Sequence, residues 1–522
     1  MKLVIVHYHL RPGGVRRVIE LATPHLIREF EGAIEGVLLV CGEAGDRDWK
    51  RDFEARLAGT RVEFFVEPAF RYFSELNRSP HVVTRAIRAA LRNIFSAQQA
   101  GDCLVWSHNL GVGRNLLLTR ELTRICAERK IPLIAHHHDW WFDNRWSRWR
   151  EMRRSGFRSL RVAAETVFPA LPGVRHVAIN QPDASILRRH FALRAGWLPN
   201  LSEPAPTLPG VRARAAKNWL SRQLGEDGPV WIMPCRLLRR KNVAEALLLT
   251  RWLRPGAWLV TTGGASSADE RTYAEQLAAA ARGQGWRLRL GILTGDEAGK
   301  PDVAELLAAS EVVLLTSIQE GFGLPYLEAA AARRPLVARA LPNIAPDLAR
   351  FGFHFPQCYD ELRIDPRLFD WQTEFRRQQR LFDAWKNCLP GVCRRWTGRP
   401  VLLAAGGQPH PVPFSRLTLS AQLDVLGEPP DRSWACCAPL NPWLKAWQRR
   451  AQAGRLQITP WPRAAARWLS GRAYARRFAR ILKATPPAAP RSRLAAVAAQ
   501  AEFIRARLGS DHLFPLLWPP QT

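Results

Sequence analysis

Through the first 200 residues, short runs of apolar β-formers alternate with longer stretches whose apolar positions recur every three or four residues. The runs Leu3–Tyr8, Gly36–Val40, Val62–Val66, Cys103–Ser107, Pro132–His136 and His176–Ile179 read as strands, and Val15–Phe30, Val82–Ala97 and Leu116–Glu128 as amphipathic helices. That alternation predicts a parallel sheet covered on both faces, so residues 1–200 read as one Rossmann-like domain. Leu198-Pro-Asn-Leu201 with Pro204, Pro206, Pro209 and Gly210 interrupts the pattern and reads as a linker. It then resumes as strands Val230–Met233, Trp258–Thr262, Leu288–Ile292, Val312–Thr316 and Leu336–Ala338. Between these lie helices Val243–Leu253, Asp269–Ala281, Val303–Ala309 and Pro325–Arg333, making residues 201–355 a second unit of the same kind.

Beyond about Asp347 the order of a parallel sheet is lost, and residues 356–522 read as a basic, mainly helical extension. Its expected helices are Ile364–Cys388, Arg416–Leu426, Ala473–Lys483 and Leu494–Leu508, the last two separated by Pro486, Pro487 and Pro490.

A chain of 522 residues holds about three domains, and 47% hydrophobic against 23% charged residues excludes a disordered chain. Nine scattered cysteines without a CxxC pair argue against a secreted disulfide framework or a zinc ribbon, so a cytoplasmic setting is expected. No apolar run reaches the roughly 18 residues that cross a bilayer. Leu3–Val6 is cut short by His7, His9 and Arg11, which suits a first strand and not a signal peptide. Net charge is +30, and residues 443–522 hold fifteen basic residues against Glu502 and Asp511. This Arg-rich tail reads first as a solvated basic face and second as a surface for an anionic membrane.

Two glycine-bearing segments carry the chemistry. In Arg11-Pro-Gly-Gly-Val15, Gly13 and Gly14 stand where the first strand gives way to a helix, so backbone can approach a ligand and helix N–H groups face an anion. Glu320-Gly-Phe-Gly-Leu-Pro-Tyr-Leu-Glu328 follows an apolar strand and runs into a helix. Helical side chains lean toward the N-terminus, so Glu328 is expected to point back toward the loop that carries Glu320, at the strand ends where open α/β sheets bind nucleotides.

With those residues in place, the chain resembles the retaining nucleotide-sugar glycosyltransferases of family four, which have two Rossmann-like domains facing across a cleft (the GT-B architecture). The Glu-x7-Glu signature matches Glu320 and Glu328 around Gly321-Phe322-Gly323-Leu-Pro, the amino-terminal Gly-Gly-Val matches Gly13-Gly14-Val15, and the basic pair matches Arg236 and Lys241. The resemblance implies that Glu328 holds the donor's ribose, that Glu320 contacts the donor sugar, and that Arg236 and Lys241 bind the diphosphate. Domain closure would bring Gly13 and Gly14 onto that diphosphate. No metal or other cofactor is implied, because fixed cations can neutralise a departing diphosphate. Arg239 and Arg240 are read as solvent-facing.

In Ile134-Ala-His-His-His-Asp139, alternation along a strand keeps His136, His137 and His138 from reaching one ion together. The resemblance makes His138, followed by Asp139, the histidine that meets the donor sugar. His108-Asn109 is a further candidate for the cleft wall, and Asn144 and Arg145 for the acceptor. The resemblance covers about residues 1–350, and part of Phe369–Leu426 is expected to return to the first domain. A retaining hexosyltransferase acting from a nucleotide-diphosphate sugar onto an acceptor hydroxyl is the expected function. A sugar-nucleotide epimerase or hydrolase and a non-catalytic basic binding protein are the alternatives. The expected partners are that donor, an acceptor that is a glycan, lipid-linked sugar or small polar molecule, and an anionic membrane touched by the tail on its inner face. Nucleic acid is not expected.

Overall fold

In the computed structural model the described residues are 1–522 apart from 58, 97–100, 205–207, 266, 296, 298, 405, 485–492 and 519–522. Ala97, Pro206, Pro486, Pro487 and Pro490, all named above, lie outside them. The chain forms two units, each assembled from separated stretches: residues 1–202, 387–397 and 464–508 make the first, and residues 203–386, 398–463 and 509–522 the second.

The first unit is built on a seven-stranded sheet, with β1 (Lys2–His7), β2 (Gly36–Cys41), β3 (Arg61–Val66), β4 (Cys103–His108), β5 (Leu133–His137), β6 (Val174–Ala178) and β7 (Ala195–Trp197). Every pairing is parallel and the order is β3-β2-β1-β4-β5-β6-β7, so the connections reverse direction between β1 and β4. β2, β4, β5 and β6 are buried along their whole length, which explains their unbroken apolar character. β7 was not foreseen, since three residues at a sheet edge carry no periodicity.

Helix Gly471–Lys483 lies against helix Gly14–Glu29. Its Tyr474, Ala475 and Phe478 enter the same core as Leu3, Ile5, Val18, Ile19 and Trp106. The approach is close: a Cβ on Gly471 would fall 1.9 Å from the His25 ring. The return to the first unit is thus made chiefly by 464–508. Of the stretch Phe369–Leu426 expected to do so, only 387–397 belongs there. Most basic side chains of the tail are exposed, as a solvated face requires; Arg477, 4.3 Å from the Trp468 ring, and Arg507, held between two carboxylates, are the half-buried exceptions.

The second unit repeats the design with β8 (Val230–Met233), β9 (Trp258–Thr261), β10 (Leu288–Arg289), β11 (Val312–Leu315), β12 (Leu336–Arg339) and β13 (Gln357–Tyr359). These are ordered β10-β9-β8-β11-β12-β13, with the reversal between β8 and β11. The strand expected to reach Ile292 stops at Arg289, ahead of the left-handed Gly291 (φ 63°). Helix Val243–Leu253 is apolar almost all round because helices Leu419–Gly427 and Leu444–Gln452 cover it away from the sheet. The helix expected over Ile364–Cys388 begins only at Trp371, where Asp370 accepts from the Thr373 backbone N–H at 3.0 Å. Among the described residues no helix is long and apolar enough to cross a membrane.

Candidate functional site

In an open parallel sheet, the loops leaving the strands on either side of the reversal diverge and leave a crevice. In the second unit those loops follow β8 and β11. Thr316, just past β11, donates to the carbonyls of Lys241 at 3.1 Å and Asn242 at 3.0 Å, and the Ile318 N–H donates to the Arg240 carbonyl at 2.9 Å. The two loops are therefore one hydrogen-bonded body.

Glu320 sits at its centre, 8% exposed. Its carboxylate accepts from the buried Lys241 ammonium, from Arg240 at 2.9 Å and from the Ser317 hydroxyl at 2.7 Å. Burial pushes the Glu320 carboxyl up, but Lys241 and Arg240 overcome that and hold it at about 2. Three of about four acceptor positions on this carboxylate are taken, leaving one for a further donor. Two cations against one anion leave a positive surplus. Arg236 adds to it, standing exposed and with no ion pair among the described residues.

Arg239 and Arg240 are not the solvent-facing pair that the charge pattern implied. Arg240 also donates to the Gln319 carbonyl, while Arg239 is part-buried, 3.8 Å from Glu270 and donating to the Trp518 carbonyl at 2.9 Å. Their backbones lie in a single 3-10 turn, Arg239–Lys241, from which Arg239 reaches Glu270 while Arg240 and Lys241 share the Glu320 carboxylate.

Gly323 is left-handed (φ 75°), and a Cβ there would meet the Tyr326 ring at 2.9 Å, so packing alone demands this glycine. Phe322 is buried near Phe351. Gly321 lies in the loop and Glu328 is half-buried on helix Leu324–Ala331. Nothing in the spacing announced the network beneath this loop. Asn242, left-handed at φ 52°, donates to Glu245 at 2.7 Å; Glu245 also accepts from Arg339 at 2.6 Å and Tyr359 at 2.5 Å, all four residues being buried. A polar Glu245 inside an apolar helical run was the one signal available.

The first unit gathers different chemistry at its own reversal. Gly13 has extended backbone (φ 165°), and a Cβ on Gly14 would meet nothing within 4 Å, so neither strain nor packing demands these glycines. His138 lies just past β5, half-buried, its Nε2 3.0 Å from His108 Nδ1. Asn109 Oδ1 accepts from the backbone N–H groups of His138 at 2.8 Å and Asp139 at 3.1 Å, fixing the turn. Burial lowers His138 to about 4 despite the opposing pull of Asp139, so the ring is neutral at neutral pH. Arg145 reaches Asp139 at 3.4 Å.

Alternation does separate His137, which turns to His176 (Nε2 to Nδ1 3.2 Å) and stacks on Trp140. His108, from the neighbouring strand, takes its place beside His136 and His138. Arg507, read only as part of a basic tail, donates to Asp143 at 3.0 Å and Asp183 at 2.6 Å. Asp143 in turn accepts from the Trp140 backbone N–H at 2.8 Å, so the tail helix braces the loop after His138.

Residues 220–357, which contain the Lys241–Glu320 cluster and Glu328, match the family model described as Glycosyl transferases group 1. That segment is similar to a group 1 glycosyltransferase domain. The chain as a whole is similar to the mannosylglucosyl-3-phosphoglycerate synthase of Petrotoga mobilis, 24% identical over 352 residues that cover 66% of this chain and 65% of that protein. It is also similar to the mannosylglucosylglycerate synthase of Thermotoga maritima, 24% identical over 420 residues covering 72% of this chain and 90% of that one. It spans a little under two thirds of the first of these relatives. Among solved structures, Anabaena HepE in complex with UDP and glucose is 18% identical, with a TM-score of 0.45 over 67% of this chain and 83% of that one. The family match to the glycosyltransferase domain ends at Gln357, within the last strand of the second sheet.

Proposed function

We propose that the protein is a retaining hexosyltransferase that moves a sugar from a nucleoside-diphosphate donor to an acceptor hydroxyl without a metal ion at the diphosphate. The observation that carries this reading is the positive surplus at the β8/β11 reversal, Arg236, Arg240 and Lys241 against Glu320, inside the matched glycosyltransferase domain.

As the donor bond breaks, negative charge builds on the departing phosphate. Cations already held by fixed hydrogen bonds stabilise it without reorganising. In this reading Lys241 and Arg236 receive the diphosphate, and Glu320 keeps Lys241 oriented while offering its remaining acceptor position to the sugar. Glu328 takes the ribose hydroxyls, with Gly321, Phe322 and Gly323 as the intervening loop. Gly13 and Gly14 supply unobstructed backbone N–H groups, and neutral His138 makes a sugar contact. Retention fits a front-face attack in which the departing phosphate oxygen takes the acceptor's proton. The names of the relatives, synthases of mannosylglucosyl compounds, favour a hexosyl donor and a small polar acceptor.

The test is to incubate the full chain with uridine, guanosine and adenosine diphosphate hexoses, with and without sugar and glycerate acceptors. Acceptor-dependent diphosphate release that EDTA does not reduce is expected, with the product keeping the donor's anomeric configuration by NMR. Release without acceptor would establish a hydrolase, and no release with any donor would remove the enzymatic reading. Glu328→Ala should weaken nucleoside-diphosphate binding by roughly 1.5–3 kcal/mol in calorimetry, the worth of a hydrogen bond to a charged group. Unchanged affinity would reject the ribose assignment.

A further inference from the structure

Only His138 of the histidines in the first unit is used above, and its neighbours form a site of their own. We propose that His108, His136 and His138 bind one transition-metal dication, with zinc the best match to three imidazole ligands.

Sheet register brings the three together. β4 and β5 are parallel, with His108 directly beside His136, so both side chains leave the same face. His138 is two residues beyond His136 and returns to that face, while His137 goes to the other. One ring nitrogen from each of the three lies within 4.8 Å of the others, and His108 Nδ1 stands 3.0 Å from His138 Nε2. Zinc–nitrogen bonds of about 2.0–2.1 Å at tetrahedral angles place ligand nitrogens roughly 3.3 Å apart, so small side-chain rotations suffice.

The second observation is what these rings lack. His108 and His136 are completely buried. Neither nitrogen of His136 has a hydrogen-bond partner of ordinary geometry, although the Leu198 backbone approaches the ring; His108 Nε2 is also unpartnered, on the ring edge away from the Nδ1 that faces His138. A buried polar atom left unsatisfied costs about 1–3 kcal/mol, and clustering several in one place calls for a partner. Neutral imidazoles with free lone pairs are ligands for zinc, copper, nickel or iron.

The surroundings are suited to holding an ion. Trp106 lies against His108, with ring centroids 4.3 Å apart, and Tyr474 lies 6.4 Å from His136, so one side of the cluster is walled by aromatic rings. The Asn109 side chain fixes the turn that carries His138. His138 is the half-buried member, which leaves that side for access and for a water as fourth ligand. None of these groups belongs to the Lys241–Glu320 cluster, so the site is independent of diphosphate chemistry. One consequence does rest on the proposed function: zinc on His138 Nε2 takes that nitrogen from the donor sugar and fixes the ring, so zinc would inhibit transfer without displacing the nucleotide.

The full chain, stripped with EDTA and dialysed, is titrated with zinc chloride in a calorimeter at neutral pH, and with cobalt(II) by visible absorption. One saturable equivalent is expected, with cobalt d–d bands of a tetrahedral nitrogen site and X-ray absorption of the zinc form showing imidazole scattering. His108→Asn and His136→Asn should each weaken binding by about 100-fold or more, while His81→Asn on the exposed helix Pro80–Ile94 leaves it unchanged. The wild-type spectra keep the question answerable if a variant fails to fold. No saturable uptake, meaning that water alone satisfies the rings, overturns the proposal. So does sulfur scattering from the free cysteines, or affinity indifferent to both histidine variants.

Discussion

The two Rossmann-like units share one strand order, yet the crevices at their reversals are electrostatic opposites. In the first, His7, His108, His136 and His138 crowd together, burial keeping each ring neutral. In the second, Glu320 is enclosed as well but is held ionised, because Lys241 and the part-buried Arg240 lie within hydrogen-bonding reach. Topology decides where functional groups collect; pairing decides whether they survive there as ions.

The difference can be broken from either side. The largest effect is expected for Glu320→Ala, which leaves Lys241 buried and Arg240 part-buried without their anion: urea denaturation should show a loss of about 3–5 kcal/mol, and a loss below about 1 kcal/mol would mean that the cations are already solvated. Next, Lys241→Ala should lower turnover by about 100-fold while the far-ultraviolet circular dichroism is unchanged; near-normal turnover would count against its role at the diphosphate.

A smaller effect follows from linkage. The folded Glu320 carboxyl is held at about 2, against an ordinary value of 4.5. Between those values the unfolded chain binds the proton and the folded chain does not. Glu320 thus contributes stability that is complete above about pH 4.5 and is lost as pH falls toward 2. Hydrogen exchange of β11 peptides should show this slope in the wild type and a flatter one in Glu320→Gln; equal slopes would place the titration elsewhere. The smallest effect is expected in the first unit. His136→Phe removes unsatisfied nitrogens and keeps an aromatic ring, so metal-free stability should change by no more than about 1 kcal/mol. A large loss would reveal a polar partner that His136 depends on.

Much of this molecule was legible along the chain. β8 spans the residues expected of it, and most other long strands match within a residue or two at either end, because buried parallel strands are written as unbroken apolar runs. The short edge strands β7 and β13 were not, since their few residues carry no period and depend on a neighbour to pair with. At the candidate site, the glycine-bearing motif pointed to Glu320 and the resemblance to Lys241, but local sequence did not show that Arg240 shares the same carboxylate. Nor did it show that packing against Tyr326, with a left-handed backbone, is what requires Gly323. Strand alternation correctly separated His137 from its neighbours and, being blind to register, missed His108.

By itself the sequence determined the two α/β units, their longer strands, and the glycine, basic and acidic segments of the proposed donor site, all of which are local patterns of composition and period. The tertiary structure alone decided which distant groups meet. Lys241 and Glu320 are 79 residues apart, His108 and His138 are 30, and Asp143 and Arg507 are 364. Such meetings depend on strand order and register, which arise only when the whole sheet is assembled and no short segment encodes them.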